Sequence, residues 1–307
     1  MDIEIKKLDK LGGPGIIVTA VMLVVIILVI ILYNSEVGLA NDIGIREPVF
    51  EDVDFSSVPQ SVVDDAEKIA DELAGDDEAR HQVVMEQLVG SYIAASEADI
   101  VIFFNSGGMG WNYVEDTPGW ESILNGITTK LQELGRRPLL INYCRTNRGV
   151  WGSIKEVLEA STRYTKKVND EVKRIEFLVD HLPGIELIIA GESTGTVITE
   201  ETMAFFRDRP NVYSIQTGNP FWYKARVQER TLRINTNGTC DDAFSYGNVP
   251  GMMWATFKHW LGLSSPEDNP GDILKWLKAP GHHYSWDYAG INVPITEFLE
   301  ENFGQNN

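Results

Sequence analysis

A serine between two glycines is the residue in this sequence whose surroundings most clearly suggest chemistry. Ser193 is the central residue of Gly191-Glu192-Ser193-Thr194-Gly195, which follows the apolar run IELIIA and precedes a run with helical spacing. A serine hydroxyl is a weak nucleophile until a neighbouring base removes its proton, so this position indicates acyl transfer if a histidine and a carboxylate lie nearby. A phosphate-binding loop is disfavoured because no Lys-Ser or Lys-Thr pair follows the glycines, and a plain structural turn is the remaining alternative.

Short apolar runs alternate with longer amphipathic runs from Ile100 to the end of the chain. The predicted strands lie in DIVIFFNSGG, which ends in a glycine turn, and in PLLINYC, IELIIAG, VYSIQTGNP and TLRINTNGT. The predicted helices include RYTKKVNDEVKRIEFLVDHLPG, which ends in a Pro-Gly stop, TGTVITEETMAFFRDRP and ITEFLEENF. This alternation favours an α/β fold with a mostly parallel sheet and helices on both faces. Because functional residues gather at the carboxyl ends of the strands in such sheets, the glycine turn at Ser193 is expected to lie in the site.

The order of strand, Gly-x-Ser-x-Gly and helix resembles the nucleophile elbow of the α/β-hydrolase family, which includes serine esterases and lipases. The resemblance implies an α/β-hydrolase domain over residues 96–307, with Ser193 as the nucleophile. In this family the acid and then the histidine follow the nucleophile along the chain. Two further residues are therefore implied after Ser193.

The implied acid follows the strand TLRIN, where two aspartates are adjacent. We prefer Asp241 because it lies three residues after Gly238, a spacing common in the family, and Asp242 is the alternative. The implied histidine lies in the loop before the last helix, where two histidines are adjacent. We prefer His282, and His283 is the alternative.

The family also binds the developing oxyanion with two backbone N–H groups. The resemblance assigns the first to Thr194 and the second to the loop NSGGMGW, at Gly107 or Gly108. The implied reaction is hydrolysis of a carboxylic ester through an acyl-enzyme, and it needs no metal and no organic cofactor. The alternatives are an acyltransferase or amidase with the same triad, and a non-catalytic binding module of the same fold.

The start of the chain has a different composition. Residues 15–33, GIIVTAVMLVVIILVIILY, carry no charge and follow a tail (residues 1–14) that contains Lys6, Lys7 and Lys10. The run is just long enough to cross a bilayer, and the basic tail indicates a cytoplasmic N-terminus. We therefore predict a single-pass membrane protein whose main domain lies outside the cytoplasm, or a secreted domain if the segment is cleaved as a signal peptide.

Three further segments are predicted. Residues 34–61 read as an acidic spacer, and residues 62–95 as two amphipathic helices, broken near Gly75, that pack on the domain or form a stalk. Residues 244–280 are rich in methionine and tryptophan and form a candidate cap over the site. Such a cap would favour an ester with an apolar acyl group, such as a lipid, as the substrate.

Charge and cysteine content exclude two classes of function. The chain has 26 basic and 45 acidic residues, a net charge of -19, which argues against a nucleic-acid partner. Its two cysteines, Cys144 and Cys240, do not form a CxxC pair, so a structural zinc site is not indicated. We do not expect these cysteines to form a disulfide.

Overall fold

The computed structural model describes the backbone of residues 44–47, together with residues 53–146, 150–227, 229–264, 270–274 and 277–304. The chain divides into two compact units after Ala40, and every described residue belongs to the second unit. The predicted tail and transmembrane helix, residues 1–33, lie outside the described residues. None of the helices that are described combines the length and the apolar character needed to cross a membrane.

A six-stranded sheet forms the centre of the second unit. Its strand order is β1-β3-β2-β4-β5-β6, in which β2 to β6 run parallel and β1 runs antiparallel to β3. The strands are β1 (Gly44–Glu47), β2 (Ile100–Asn105), β3 (Pro138–Cys144), β4 (Glu186–Glu192), β5 (Val212–Thr217) and β6 (Thr231–Ile234). The mostly parallel sheet that the sequence predicts is confirmed.

The α-helices of the described residues surround this sheet. They are α1 (Gln60–Ala74), α2 (Glu78–Ala95), α3 (Pro118–Glu133), α4 (Val150–Ser161), α5 (Thr165–His181), α6 (Gly195–Phe205), α7 (Val249–Trp260) and α8 (Ala289–Phe303). A small hairpin of β7 (Asp272–Leu274) and β8 (Leu277–Lys278) follows α7. The apolar residues of α1, α2, α5 and α6 form one core with the sheet, and those of α3 and α8 form another.

The two cores arise from the alternation of side chains along each strand. Val101 and Phe103 of β2 belong to the core with α5, whereas Ile102 and Phe104 belong to the core with α3. Every residue of β2 is buried. A parallel strand covered by helices on both faces must be apolar at successive positions, which explains why its sequence is a continuous apolar run.

The segment before β2 departs from the predicted spacer. Gly44–Glu47, within the predicted spacer, pairs antiparallel with β3 and forms an edge of the sheet. The predicted amphipathic helices are present as α1 and α2, with the break at Gly75, whose φ of +58° favours glycine. Val62 of α1 and Leu88 of α2 are buried in the core that contains α5, so these helices pack on the domain.

The candidate cap contains α7 and the β7–β8 hairpin. Met252 and Ala255 of α7 are buried, and Met252 packs in a small apolar cluster with Phe244 and Ala279. Most of the other large apolar side chains of α7 are exposed. The two cysteines are free thiols, with Cys144 buried and Cys240 exposed.

Candidate active site

Ser193 occupies a tight turn between β4 and α6. Its φ of +49° lies in the left-handed region, which is sterically unfavourable for a residue with a side chain and is concentrated at functional sites. The flanking glycines are required by close approach of the backbone. A Cβ at Gly191 would lie 2.5 Å from Thr199 Oγ1, and a Cβ at Gly195 would collide with the carbonyl oxygen of Asn105.

Three side chains form a continuous hydrogen-bonded chain at this turn. Ser193 Oγ lies 3.1 Å from His282 Nε2, and His282 Nδ1 lies 2.7 Å from Asp242 Oδ2. The exposed fractions are 4% for Ser193, 8% for His282 and 0% for Asp242. Because the buried carboxylate accepts from Nδ1–H, Nε2 is left as the acceptor for the serine hydroxyl.

The preference for Asp241 as the acid is corrected by this geometry. Asp241 is exposed and its backbone forms a β-bridge with Thr236, whereas the carboxylate in contact with His282 belongs to Asp242. Successive side chains of an extended segment point in opposite directions. The bridge at Asp241 therefore directs the side chain of Asp242 inward, toward His282.

Asp242 is held by several donors besides His282. Its oxygens also accept from the N–H groups of Phe244 (2.8 Å) and Ser245 (3.2 Å), from Ser245 Oγ (2.8 Å) and from the Tyr284 hydroxyl (2.5 Å). Burial by itself raises the pKa of Asp242, but the hydrogen bond and charge of His282, with the other donors, hold it below its ordinary value. The carboxylate is thus kept ionised opposite the imidazole.

His282 is fixed in place by its neighbours. Its ring packs against Phe244, with ring centroids 4.8 Å apart, and against Tyr284 at 5.8 Å. Gly218, after β5, has a φ of +68°, and a Cβ there would lie 2.8 Å from His282 Cε1. The alternative, His283, is exposed and its ring contacts Tyr288, so the structure places it outside this cluster.

Of the predicted oxyanion residues, Thr194 lies in this turn, and Gly107 and Gly108 lie in the loop after β2 that packs on it. Thr194 is the N-cap of α6, where the helix dipole favours negative charge. Gly107 packs closely on Ser193, since a Cβ at Gly107 would lie 3.1 Å from Ser193 Cβ. The N–H of Gly107, however, donates to Glu192 Oε2 at 3.1 Å. The N–H groups of Thr194 and Gly108 have no acceptor among the described residues.

Several residues at the site were not identified from the sequence. Tyr284 contacts the carboxylate of Asp242, and Glu192 and Arg145 contact the loop that follows β2. Glu192 lies within the quoted motif, and Tyr284 lies two residues after His282, so their nearness to the site could have been inferred. Arg145 follows the predicted strand PLLINYC, at the edge of the sheet where functional residues gather.

The arrangement has the parts needed for nucleophilic attack on a carbonyl carbon. It combines a serine, a base within hydrogen-bond distance, a carboxylate that orients the base, and backbone N–H groups at a helix N-terminus. In the portion of the chain that the structure describes, no cluster of histidine, cysteine, aspartate and glutamate side chains could hold a metal ion.

Comparisons with known proteins find similarity to solved structures. No protein-family model matches the chain, and no curated protein sequence matches it. One similar solved structure is Trichoderma reesei cutinase in complex with a C11Y4 phosphonate inhibitor, with 13% identity and a TM-score of 0.42 over 81% of this chain and 94% of that chain. Another is a cutinase-like protein from Cryptococcus sp., with 14% identity and a TM-score of 0.39 over 68% and 96%.

Proposed function

We propose that this protein is a serine hydrolase that cleaves carboxylic esters through an acyl-enzyme. The observation that carries the proposal is the hydrogen-bonded chain from Ser193 Oγ to His282 Nε2 and from His282 Nδ1 to Asp242. The left-handed φ of Ser193 adds support, because such strain is maintained only where surrounding structure enforces it. A non-catalytic module would have no need of this combination.

In the proposed mechanism, Ser193 Oγ attacks the ester carbonyl carbon while His282 Nε2 takes the hydroxyl proton. Asp242 stabilises the imidazolium that forms, and backbone N–H groups beside Ser193 stabilise the oxyanion. Collapse of the tetrahedral intermediate releases the alcohol, which receives the proton from His282. Water, deprotonated by His282, then attacks the acyl-enzyme and releases the acid and free Ser193.

We propose an ester with an apolar acyl group as the substrate. Aromatic rings extend from the histidine to the surface: Phe244 packs on His282, and Trp222 packs on Phe244 with ring centroids 5.1 Å apart. Phe221 and Trp222 are about half exposed. Apolar side chains beside a nucleophile favour binding of an acyl chain over binding of a polar or charged group.

Ester turnover with a graded series of substrates tests both parts of this proposal. We expect hydrolysis of p-nitrophenyl esters with a rapid initial release of p-nitrophenol, and loss of this activity in Ser193→Ala. We expect kcat/KM to rise from acetate to butyrate and hexanoate. Absence of turnover in folded protein would contradict the hydrolase proposal, and a strict preference for acetate would contradict the apolar acyl group alone.

Membrane anchoring of the hydrolase is a separate proposal that rests on residues 15–33 and the lysines before them. We expect the full chain to remain in the membrane fraction after extraction with alkaline carbonate, and a chain that starts at Asn41 to be released. Release of the full chain at its intact mass would contradict the anchor.

A further inference from the structure

The side chains of Arg145 and Glu192 hold the peptide group between Ser106 and Gly107 from opposite sides. Arg145 donates from Nη1 to the carbonyl oxygen of Ser106, and Glu192 Oε2 accepts from the N–H of Gly107 at 3.1 Å. The C=O and N–H of a trans peptide point in opposite directions. These two contacts therefore fix the plane of this peptide group.

The next two peptide groups are also fixed. The carbonyl of Gly107 accepts from the N–H of Gly110 at 3.2 Å, so the N–H of Gly108 in the same peptide points away from that contact. The carbonyl of Gly108 accepts from Thr194 Oγ1 at 2.7 Å and from Arg145 Nη2 at 3.4 Å. Arg145 Nη2 also lies 3.0 Å from Thr194 Oγ1, which links the loop to the residue after the serine.

The Arg145 side chain is fully buried, and its positive charge is paired with the carboxylate of Glu156. Its Nε donates to Glu156 Oε1 at 3.0 Å, Glu156 Oε2 accepts from Lys167 Nζ at 2.6 Å, and the Tyr164 ring centroid lies 5.6 Å from the guanidinium. A buried charge is unfavourable unless it is paired and hydrogen-bonded. A planar guanidinium with several N–H donors can pair with a carboxylate and still reach the loop carbonyls, which a lysine ammonium cannot do.

The loop backbone packs directly on the side chains of Arg145 and Glu192. A Cβ at Gly110 would lie 2.5 Å from Arg145 Cγ, and the φ of Gly110 is +75°. A Cβ at Gly107 would lie 3.0 Å from Glu192 Oε2. The two glycines thus allow the backbone to approach the arginine on one side and the glutamate on the other.

We propose that Arg145 and Glu192 are positioning residues that clamp residues 106–108, so that Gly108 supplies the second oxyanion N–H beside Thr194. The inference rests on the proposed hydrolase function, because it concerns the transition state of that reaction. The N–H of Gly107 is already bonded to Glu192, whereas the N–H of Gly108 is without an acceptor in the described part of the chain. Arg145 and Glu192 do not touch the substrate in this proposal, and each acts by holding the loop backbone.

The most direct test compares Glu192→Ala with Glu192→Gln. The glutamine amide oxygen can still accept from the N–H of Gly107, whereas alanine leaves this N–H without its acceptor. We expect Glu192→Ala to lower kcat for p-nitrophenyl butyrate by about 10- to 100-fold, less than complete loss of an oxyanion donor, with KM within about twofold. Glu192→Gln should stay within about threefold of the wild type. Glu176→Ala, at an exposed position of α5, is the matched control.

A second pair of variants tests the clamp at Thr194, since Arg145 substitutions can unfold the buried network. Thr194→Val removes the hydroxyl that donates to the Gly108 carbonyl, and Thr194→Ser retains it. We expect kcat to fall in the valine variant and to be largely restored in the serine variant, with circular dichroism and thermal unfolding showing that both are folded.

Several outcomes would overturn the clamp. Wild-type kcat in folded Glu192→Ala, equal losses in the alanine and glutamine variants, or a loss confined to KM would each contradict it. Reaction with paraoxon, which transfers its diethylphosphoryl group to an activated serine and releases p-nitrophenol, separates this result from failure of the proposed function. If the wild-type protein forms an adduct at Ser193, the hydrolase proposal stands and the kcat values of the variants test the clamp. If the wild-type protein forms no adduct and shows no turnover, both the hydrolase function and the clamp are contradicted.

Discussion

Asp242 accepts five hydrogen bonds, and together they fix the carboxylate that faces His282. Backbone N–H groups hold Oδ1, while Tyr284, Ser245 and His282 share Oδ2. The donors keep the pKa of Asp242 below its ordinary value despite burial, so the carboxylate stays charged at neutral pH. A fixed anion at Nδ1 selects the tautomer in which Nε2 accepts the serine proton.

Substitution of the two adjacent aspartates distinguishes their roles. We expect Asp242→Asn to lower kcat by about 10³- to 10⁴-fold, because an amide cannot stabilise the imidazolium and favours the wrong tautomer. Asp241→Asn should stay within about threefold, since Asp241 is exposed. Steady-state kinetics on p-nitrophenyl butyrate measure both, and a larger loss in Asp241→Asn would contradict the assignment.

At the residue scale, the sequence predicts the positions that depend on local pattern. Ser193 is identified by glycines two residues away on each side, and His282 by its place before the last helix. The choice between Asp241 and Asp242 depends on the β-bridge between Asp241 and Thr236, which the local sequence does not predict. The position of Arg145 after a predicted strand places it at the functional edge of the sheet, but no motif indicates its contacts with Ser106 and Thr194.

At the element scale, a buried glutamate joins three elements beneath the site. Glu171 of α5 accepts from Asn105 of β2 at 2.7 Å and from Thr202 of α6 at 2.7 Å. Burial raises the pKa of Glu171 from its ordinary value of 4.5 to about 7. Asn105 is the last residue of β2 and directly precedes the loop that packs on Ser193.

The raised pKa of Glu171 makes stability depend on pH. The folded protein holds this proton more tightly than the unfolded chain, so the contribution is full below the unfolded pKa and is lost as the pH rises through about 7. We expect the free energy of unfolding to fall by about 2 kcal/mol between pH 5.5 and 8.5 relative to Glu171→Gln. Urea denaturation of both proteins at the two pH values measures this, and a pH-independent difference would contradict it.

The elements themselves differ in how well the sequence predicts them. The buried strands β2 and β4 are short, continuous apolar runs, which predict buried strands, and the apolar residues of α5 have helical spacing. In contrast, β1 is a short edge strand, GIRE, within an acidic segment. β1 pairs with the edge of β3 that the parallel strands leave open, and this edge exists only once the sheet has assembled.

At the scale of the whole molecule, the distribution of charge is uneven. The net charge is -19, yet no acidic residue occurs between Phe244 and Ser264. Within this stretch Trp254 and Trp260 of α7 are 60% and 67% exposed, and Met253 and Phe257 lie on the same helix and are also exposed. The buried face of the same helix packs on Phe244 through Met252, and we expect the exposed face to favour substrates presented at an apolar interface.

Replacement of the two exposed tryptophans tests the role of this surface. We expect Trp254→Ser combined with Trp260→Ser to lower hydrolysis of an emulsified long-chain ester by about 30-fold or more, because each side chain contributes about 1 kcal/mol or more when buried in an apolar phase. Hydrolysis of soluble p-nitrophenyl acetate should change less than twofold. Val293→Ser, at an exposed position on α8, is the control, and equal losses on both substrates would contradict the prediction.

The measurement that most directly tests the central claim is mass mapping of the protein after reaction with a fluorophosphonate. We predict one adduct, on Ser193, that is absent in Ser193→Ala and forms far more slowly in His282→Ala, because His282 lies within hydrogen-bond distance of Ser193 Oγ. A folded wild-type protein that forms no adduct, or forms it on another residue, would contradict the claim that Ser193 is an activated nucleophile.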